Sequence, residues 1–137
     1  MTIFLLLRTV HILCGAIWVG SALFVGAILV PAATRDPGGA GALFGRLQTR
    51  LPAWFGGAAL LTVLSGAALY GRDSMWRWDW IVGPGHGWTI GACAALLALV
   101  IGAAIPRVPE RVRPVVGGVN AVSLLVALIA MATARYV

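Results

Sequence analysis

Four long apolar runs, separated by short loops that contain arginine, constrain this chain more than any other feature. The runs cover approximately residues 3–31, 52–70, 86–105 and 114–134. About 20 apolar residues in a helix cross the hydrocarbon core of a bilayer, and each run is near or above that length. Only 10% of the residues are charged, against about 25% in a soluble domain. The sequence therefore predicts one all-α domain, an integral membrane four-helix bundle whose short loops make successive helices antiparallel.

The arginines give the expected orientation of this bundle, because cytoplasmic loops carry an excess of positive charge. All 10 basic residues are arginine, and six of them lie in the loops after the first and third runs. We therefore expect these two loops in the cytoplasm and both termini outside. We also expect the first run to be an uncleaved spanning helix and not a cleaved signal peptide. The arginines lie at the ends of apolar runs and form no basic stripe, so we do not expect the protein to bind nucleic acid. The expected partner is the lipid bilayer.

Two loops carry predictions of their own. In the loop after the first run, Phe44, Leu47 and Leu51 recur at helical spacing among arginines, which predicts a short interfacial helix. The loop at 71–85 is rich in tryptophan, a residue that favours the boundary between membrane and water. We expect this loop to lie along the membrane surface as a lid. Its alternating aromatic and charged residues are Trp76, Arg77, Trp78, Asp79 and Trp80.

Small residues line one side of the third run at helical spacing. They are Gly87, Gly91, Ala95, Ala98 and Gly102. In lipid, small residues let two helix backbones approach closely, so this stripe predicts a helix-packing face. The same stripe makes a homodimer plausible, with a second copy of the chain packed on it.

The first run carries the most unusual set of side chains. His11, Cys14, Gly15 and Trp18 are spaced so that they share one face of a helix, and Arg8 lies one turn before His11 on that face. Ionisable groups at membrane depth are costly and are functional candidates by default. A histidine in such a helix can also serve only as a hydrogen-bonding group between helices. His11 is the central candidate of the sequence.

Haem is the cofactor that fits this set best. The predicted topology places His11 and His86, the two histidines of the chain, in the same outer half of the membrane, and histidine imidazoles commonly hold b-type haem. We expect His11 as the first axial ligand and His86 as the second. Arg8 would bind a propionate, Gly15 would let the flat macrocycle approach the backbone, and Trp18 would form part of the wall.

The number of axial ligands decides the expected role. Two histidines would fill both axial positions, which favours electron transfer or redox sensing with a redox partner that the sequence does not identify. One histidine would leave a position open, and gas binding or a haem-dependent oxidoreductase reaction then becomes possible. Catalytic residues cannot be assigned from the sequence.

Copper is the alternative metal. His11 and Cys14 are spaced i, i+3 and could share a copper ion with Met75, since imidazole, thiolate and thioether ligands suit Cu(I). His86 and Cys93 are further candidates for the same ion. This set predicts copper binding or transport.

A third class is a cofactor-free accessory subunit of a larger membrane complex. The motifs of soluble enzymes are absent from the sequence, and Asp73, Asp79 and Glu110 all fall in predicted loops. A proton-coupled transporter would be expected to carry a carboxylate within the membrane. Because these carboxylates fall in predicted loops, the sequence does not favour a transporter. In the second run, Thr62, Ser65 and Tyr70 are the only polar side chains, so few groups are available for chemistry.

Three stretches carry a resemblance to a known family. They are Leu-Arg-Thr-Val-His-Ile-Leu-Cys-Gly-Ala-Ile-Trp-Val-Gly-Ser at 7–21, Leu-Thr-Val-Leu-Ser-Gly-Ala-Ala-Leu-Tyr at 61–70 and Gly-Trp-Thr-Ile-Gly at 87–91. The first resembles the opening helix of the small copper-resistance-D-like membrane proteins and of the bacterial membrane-bound protoporphyrinogen oxidase. The resemblance implies a four-helix bundle in the bacterial inner (plasma) membrane that binds haem or another tetrapyrrole through His11. It also implies a link to copper handling.

Overall fold

The computed structural model describes residues 2–47 and 49–134, and all the regular secondary structure in these two ranges is helical. A π-helical segment, Val25–Leu29, joins α1 to α2, and a 3-10 turn, Ile105–Arg107, extends α6. The α-helices are α1 (Thr2–Phe24), α2 (Val30–Arg35), α3 (Ala40–Leu47), α4 (Leu51–Ser74), α5 (Trp78–Val82), α6 (His86–Ala104) and α7 (Arg113–Thr133).

Four helical segments are long and apolar enough to cross a membrane. They are Thr2–Arg35, Leu51–Ser74, His86–Arg107 and Arg113–Thr133, with mean hydropathy between 1.5 and 2.3. Many large apolar side chains on them point away from the protein, as lipid-facing side chains do; Leu64 and Ile129 are 58% and 60% exposed. The predicted all-helical fold with four apolar helices of membrane length is thus confirmed, and it is compatible with a multi-pass membrane protein.

The first helical segment does not end at Pro31, where the sequence predicts its end. It continues to Arg35. A proline inside an α-helix lacks the N–H group, and its ring clashes with the carbonyl four residues before it. The π-helical turn absorbs this clash, because the Val30 N–H bonds to the carbonyl of Val25, five residues back. The prediction treated proline as a stop signal, whereas the chain accommodates it with one wide turn.

The four long helices form two tightly packed pairs, α1 with α4 and α6 with α7. Smaller contacts between α4 and α6 and between α1 and α7 close the ring, so α1 and α6 occupy opposite corners. Contacts within the second pair run in reverse order. A Cβ added at Gly87, at the start of α6, would meet Ala134, and one added at Gly102, near its end, would meet Asn120.

Small side chains dominate the core between the helices. The buried core residues are Trp18, Ala58, Ala59, Ala95, Ala98, Leu124 and Ala127. The small-residue stripe of α6 lies against α7 of the same chain, since a Cβ added at Gly91 would lie 2.8 Å from Met131 Cγ and 3.4 Å from the Ala127 carbonyl oxygen. The predicted helix-packing face is therefore present, with α7 as its partner. A homodimer stays a prediction and would need another surface.

Each of the two loops discussed in the sequence analysis, the one after the first run and the one at residues 71–85, contains a short helix in the structure. The helix expected around Phe44 is α3, and the tryptophan loop contains the short helix α5. Tyr70, one turn before the end of α4, holds this loop in place, because its ring lies 5.7 Å from Trp76 and 5.5 Å from Trp80, centroid to centroid. Its hydroxyl is also 2.8 Å from Thr89 Oγ1 on α6. The position of the loop on a membrane surface stays a prediction.

Charged groups of the tryptophan loop pair with each other. Arg77 donates hydrogen bonds to Asp79, and this interaction lowers the pKa of the Asp79 carboxyl and raises the pKa of Arg77. Both side chains are exposed, and exposed ion pairs add little to stability. The ion pair therefore orders the loop locally and does not mark a reactive group.

Candidate functional site

The His11 side chain is held by the neighbouring helix α4. Its Nδ1 atom lies 2.9 Å from the carbonyl oxygen of Thr62 and 3.3 Å from the hydroxyl oxygen of Ser65. A carbonyl oxygen only accepts hydrogen bonds, so His11 Nδ1 carries the proton and donates it to Thr62. In the neutral ring this leaves Nε2 unprotonated, which is the arrangement found in metal-ligating histidines.

Gly66 makes room for the His11 ring. A Cβ atom at position 66 would lie 2.8 Å from His11 Cε1 and 3.2 Å from Nδ1, so any side chain there would push the ring away. One helical turn deeper, a Cβ at Gly15 would lie 3.5 Å from the Thr62 methyl group, an ordinary contact. Close approach of α1 to α4 at His11 thus depends on the missing side chain of Gly66.

The two hydroxyl residues that contact His11 are themselves satisfied within α4. Thr62 Oγ1 donates to the carbonyl of Ala58 at 2.7 Å, and Ser65 Oγ donates to the carbonyl of Leu61 at 2.5 Å. Such bonds to the preceding turn let Thr and Ser sit in an apolar helix. Both side chains are buried. Together they form a small polar patch on the face of α4 that packs against α1.

Two arginines lie at the same end of the α1–α4 pair as His11. Arg8, one turn before His11, is half-buried and forms no hydrogen bond or ion pair with any residue in the described ranges. Arg72 lies over the ring of Phe4, with its guanidinium carbon 3.9 Å from the ring centroid. Within residues 2–47 and 49–134 Arg8 thus has no anionic partner, whereas Arg72 is partly engaged by an aromatic ring.

The remaining predicted residues of the α1 face take part in helix packing. Trp18 is only 7% exposed and belongs to the core cluster with Ala58 and Ala98. Cys14 is half-buried and carries a free thiol. The indole of Trp18 thus fills the space between helices, where the sequence suggested a wall for a haem.

His86 lies apart from His11. It is exposed at the start of α6, and its Nδ1 is 2.8 Å from the carbonyl of Gly83. His86 precedes Thr89, the partner of Tyr70, by about one turn, and Tyr70 follows Gly66 by another. Two helical turns correspond to about 10 Å along the axis. The role of His86 as a second ligand stays a prediction.

The candidate copper ligands are also separated. Met75 lies beyond Arg72 at the end of α4, and Arg72 contacts Phe4, which precedes His11 by about 10 Å of helix. In the described part of the chain, no three His, Cys, Asp or Glu side chains are grouped so that they could hold a metal ion. His11 and Cys14 are therefore the only members of the predicted set that one helix face keeps together.

Sequence reasoning did not assign Thr62, Ser65 and Gly66 to the site. The signal was present, because Thr62 and Ser65 are two of the three polar side chains of the second run and Gly66 follows directly. Which face of α4 they occupy relative to α1 depends on how the two helices pack. That register is a tertiary property and is not encoded in the spacing along either helix.

The chemistry of the site is that of a single anchored imidazole with a cation one turn away. Neither of the two cavities described in the structure is lined by His11.

The chain was compared with protein-family models, with curated proteins and with solved structures, and none of them matched. The functional assignment therefore depends on the His11 site itself.

Proposed function

We propose that this chain is an antiparallel four-helix integral membrane protein that binds b-type haem, with Nε2 of His11 as the axial ligand. The observation that carries the proposal is the hydrogen bond from His11 Nδ1 to the Thr62 carbonyl. In metal sites, this kind of partner fixes the tautomer and the orientation of a ligating histidine and raises its basicity. The residues around His11 therefore fit an imidazole ligand of iron.

Haem is favoured over copper because the site offers few protein ligands. A porphyrin supplies four equatorial nitrogens, so one imidazole completes a working iron site. Copper needs several protein ligands, and only His11 and Cys14 share a face of α1, while Met75 follows the last residue of α4, beyond Arg72. The absence of a cluster of three ligands in the described ranges agrees with this preference.

Arg8 supports the same assignment. Haem carries two propionates, and a guanidinium is well suited to bind a carboxylate through two parallel hydrogen bonds. Arg8 is half-buried on the His11 face and has no partner among the described residues. A cation within an apolar helix is costly, and a propionate would offset that cost.

The expected role follows from the number of axial histidines. His86 is exposed at the start of α6 and its ring bonds to the Gly83 carbonyl, so His11 is the one histidine that the proposal uses as a ligand. When bound, such a haem supplies reversible one-electron chemistry and one axial position for a small ligand. We therefore favour redox or gas sensing, or an oxidoreductase reaction, over electron transfer through a haem with two histidine ligands.

The competing function is that of a cofactor-free accessory subunit, in which the His11–Thr62 hydrogen bond only ties α1 to α4. The test is an absorption spectrum of the detergent-purified protein, expressed with added haem precursor, together with its iron and copper content. The proposal predicts a Soret band, iron near one atom per chain, and a shift of the band when carbon monoxide binds the reduced protein. A colourless protein would contradict it, as would copper without a Soret band.

A further inference from the structure

A cavity of about 320 Å³ opens at the end of the α1–α4 pair that is remote from Arg72. This volume lies at the lower end of the range of about 300–1,000 Å³ for sites of small organic ligands. Gly20, Ser21 and Val25 line it from the first helical segment, and Leu47, Leu51 and Phe55 line it from α3 and α4. The wall is almost wholly apolar, so it suits an alkyl chain.

The π-helical turn before Pro31 helps to shape this cavity. Val25 and Leu29, the first and last residues of that turn, both belong to its lining. A π-turn widens a helix locally and is often found at functional sites. The path of the first helical segment beside α3 and α4 therefore depends on the same feature that accommodates Pro31.

Two exposed arginines are next in sequence to residues that line the cavity. Arg46 is adjacent to the lining residue Leu47, and Arg50 is adjacent to Leu51. Neither arginine forms an ion pair with a residue of the described ranges. The nearest acidic residue in the sequence, Asp36, is engaged elsewhere, because its carboxylate accepts the backbone N–H groups of Gly39 and Ala40. The segments that contribute Leu47 and Leu51 to the cavity therefore carry positive charge that no acidic side chain of the described ranges neutralises.

Ser21 adds a hydroxyl group to the apolar wall. It is half-buried and, unlike Thr62 or Ser65, forms no hydrogen bond to the preceding turn of its own helix. Its oxygen is also not among the fully enclosed unpaired polar atoms of the described residues. Among residues 2–47 and 49–134 the Ser21 hydroxyl has no hydrogen-bond partner, and in a lipid site it would donate to an ester carbonyl.

We infer that this cavity binds an anionic phospholipid, with one acyl chain between α1, α3 and α4 and the phosphate held by Arg46 and Arg50. A free anion would not use the apolar wall, and a neutral lipid would not use the arginines. Basic pockets between helices at the cytoplasmic side of a membrane recognise anionic headgroups in this way. The site is separate from His11, and the inference holds whether or not the protein binds haem.

Native mass spectrometry of the full detergent-purified chain tests the inference, with phosphatidylglycerol and phosphatidylcholine as probes. We expect the wild type to retain one phosphatidylglycerol in preference to phosphatidylcholine. Each arginine near an anionic headgroup contributes about fivefold to binding, so the Arg46→Gln/Arg50→Gln double variant is expected to lose about 25-fold in affinity. Equal retention of the two lipids by the wild type would overturn the inference.

Two further variants separate this site from a general effect of charge or folding. Arg107→Gln/Arg111→Gln removes two exposed arginines between Ala104 and α7, a segment that does not line the cavity, and is expected to keep the wild-type affinity. Gly20→Leu is expected to fill the cavity and to lower phosphatidylglycerol binding, since a Cβ at Gly20 meets no atom within 4 Å. Equal losses in the two double variants would contradict a specific site.

Discussion

The Nδ1 atom of His11 on α1 lies 2.9 Å from the carbonyl oxygen of Thr62 on α4. Because the acceptor is a backbone atom, no substitution at position 62 can remove it directly. The bond forms only if the imidazole can lie close to α4. Gly66 leaves the space for this because it has no side chain. The orientation of the proposed ligand is therefore set by a glycine on another helix.

Gly66→Ala is expected to weaken haem binding by about 10- to 100-fold, the usual effect of losing an outer partner of a metal-ligating histidine. The added methyl group would lie 2.8 Å from His11 Cε1, so the ring must turn away from the Thr62 carbonyl. The measurement is a haem titration of the purified apoprotein followed by the Soret band.

Gly57→Ala is the matched control on the same helix. A Cβ at Gly57 meets nothing within 4 Å, and alanine in an exposed helix position is about 0.5–1 kcal/mol more favourable than glycine. We expect unchanged haem affinity and equal or slightly higher thermal stability in detergent. Equal loss of haem in both variants would contradict a specific role for Gly66.

The tautomer of His11 is open to direct measurement. The structure requires a proton on Nδ1 and a free Nε2 in the neutral ring, because the Thr62 carbonyl can only accept. Nitrogen NMR of the haem-free protein, labelled at histidine, is expected to show this form at mildly basic pH. Observation of the proton on Nε2 would show that the ring is not anchored as described.

Gly91→Leu is expected to destabilise the α6–α7 pair by about 1–3 kcal/mol, the usual cost of overpacking. A Cβ at this position would already lie 2.8 Å from Met131 Cγ. Thermal unfolding in detergent provides the measurement, and Gly118→Leu is the control, since a Cβ at Gly118 on α7 meets nothing within 4 Å. If both variants unfold alike, the small-residue stripe is not the packing face.

Asp36 is expected to make the start of α3 sensitive to acid. Backbone N–H groups of Gly39 and Ala40 bind its carboxylate and lower its pKa, so the stabilisation is fully present above the ordinary aspartate pKa. It is lost as the pH falls through the lowered pKa. Carbon NMR of the Asp36 carboxyl is expected to give a pKa below the ordinary value.

The control for this titration is amide exchange at neutral pH. Asp36→Ala is expected to speed the exchange of the Gly39 and Ala40 amides, which lose their acceptor. Unchanged exchange rates in this variant would show that the carboxylate does not cap α3.

The helical fold could be predicted from the sequence because long apolar runs leave little choice of structure. The helix that follows the tryptophan loop begins at His86, as predicted, since Gly-Pro-Gly interrupts the chain just before it. Pro31 was misjudged because proline stops most helices, and the local π-turn that absorbs it leaves no clear mark in the sequence.

The site was predictable in part. His11 stands out as an ionisable residue in an apolar run, and Gly15 and Trp18 share its face by spacing alone. Its partners on α4 could not be predicted, since they depend on the register between two helices. The hydrogen bond between Tyr70 and Thr89, which ties the end of α4 to the start of α6, is likewise a tertiary contact that spacing along the chain does not give.

The most direct test of the central claim compares the haem content of His11→Ala and His86→Ala with that of the wild type. All three proteins are expressed with added haem precursor, purified in detergent and measured by their oxidised and reduced spectra. If His11 is the ligand, His11→Ala loses the Soret band, whereas His86→Ala keeps both the haem and the position of the band. Full haem retention in His11→Ala, or equal loss in the two variants, would contradict the assignment of His11 as the ligand.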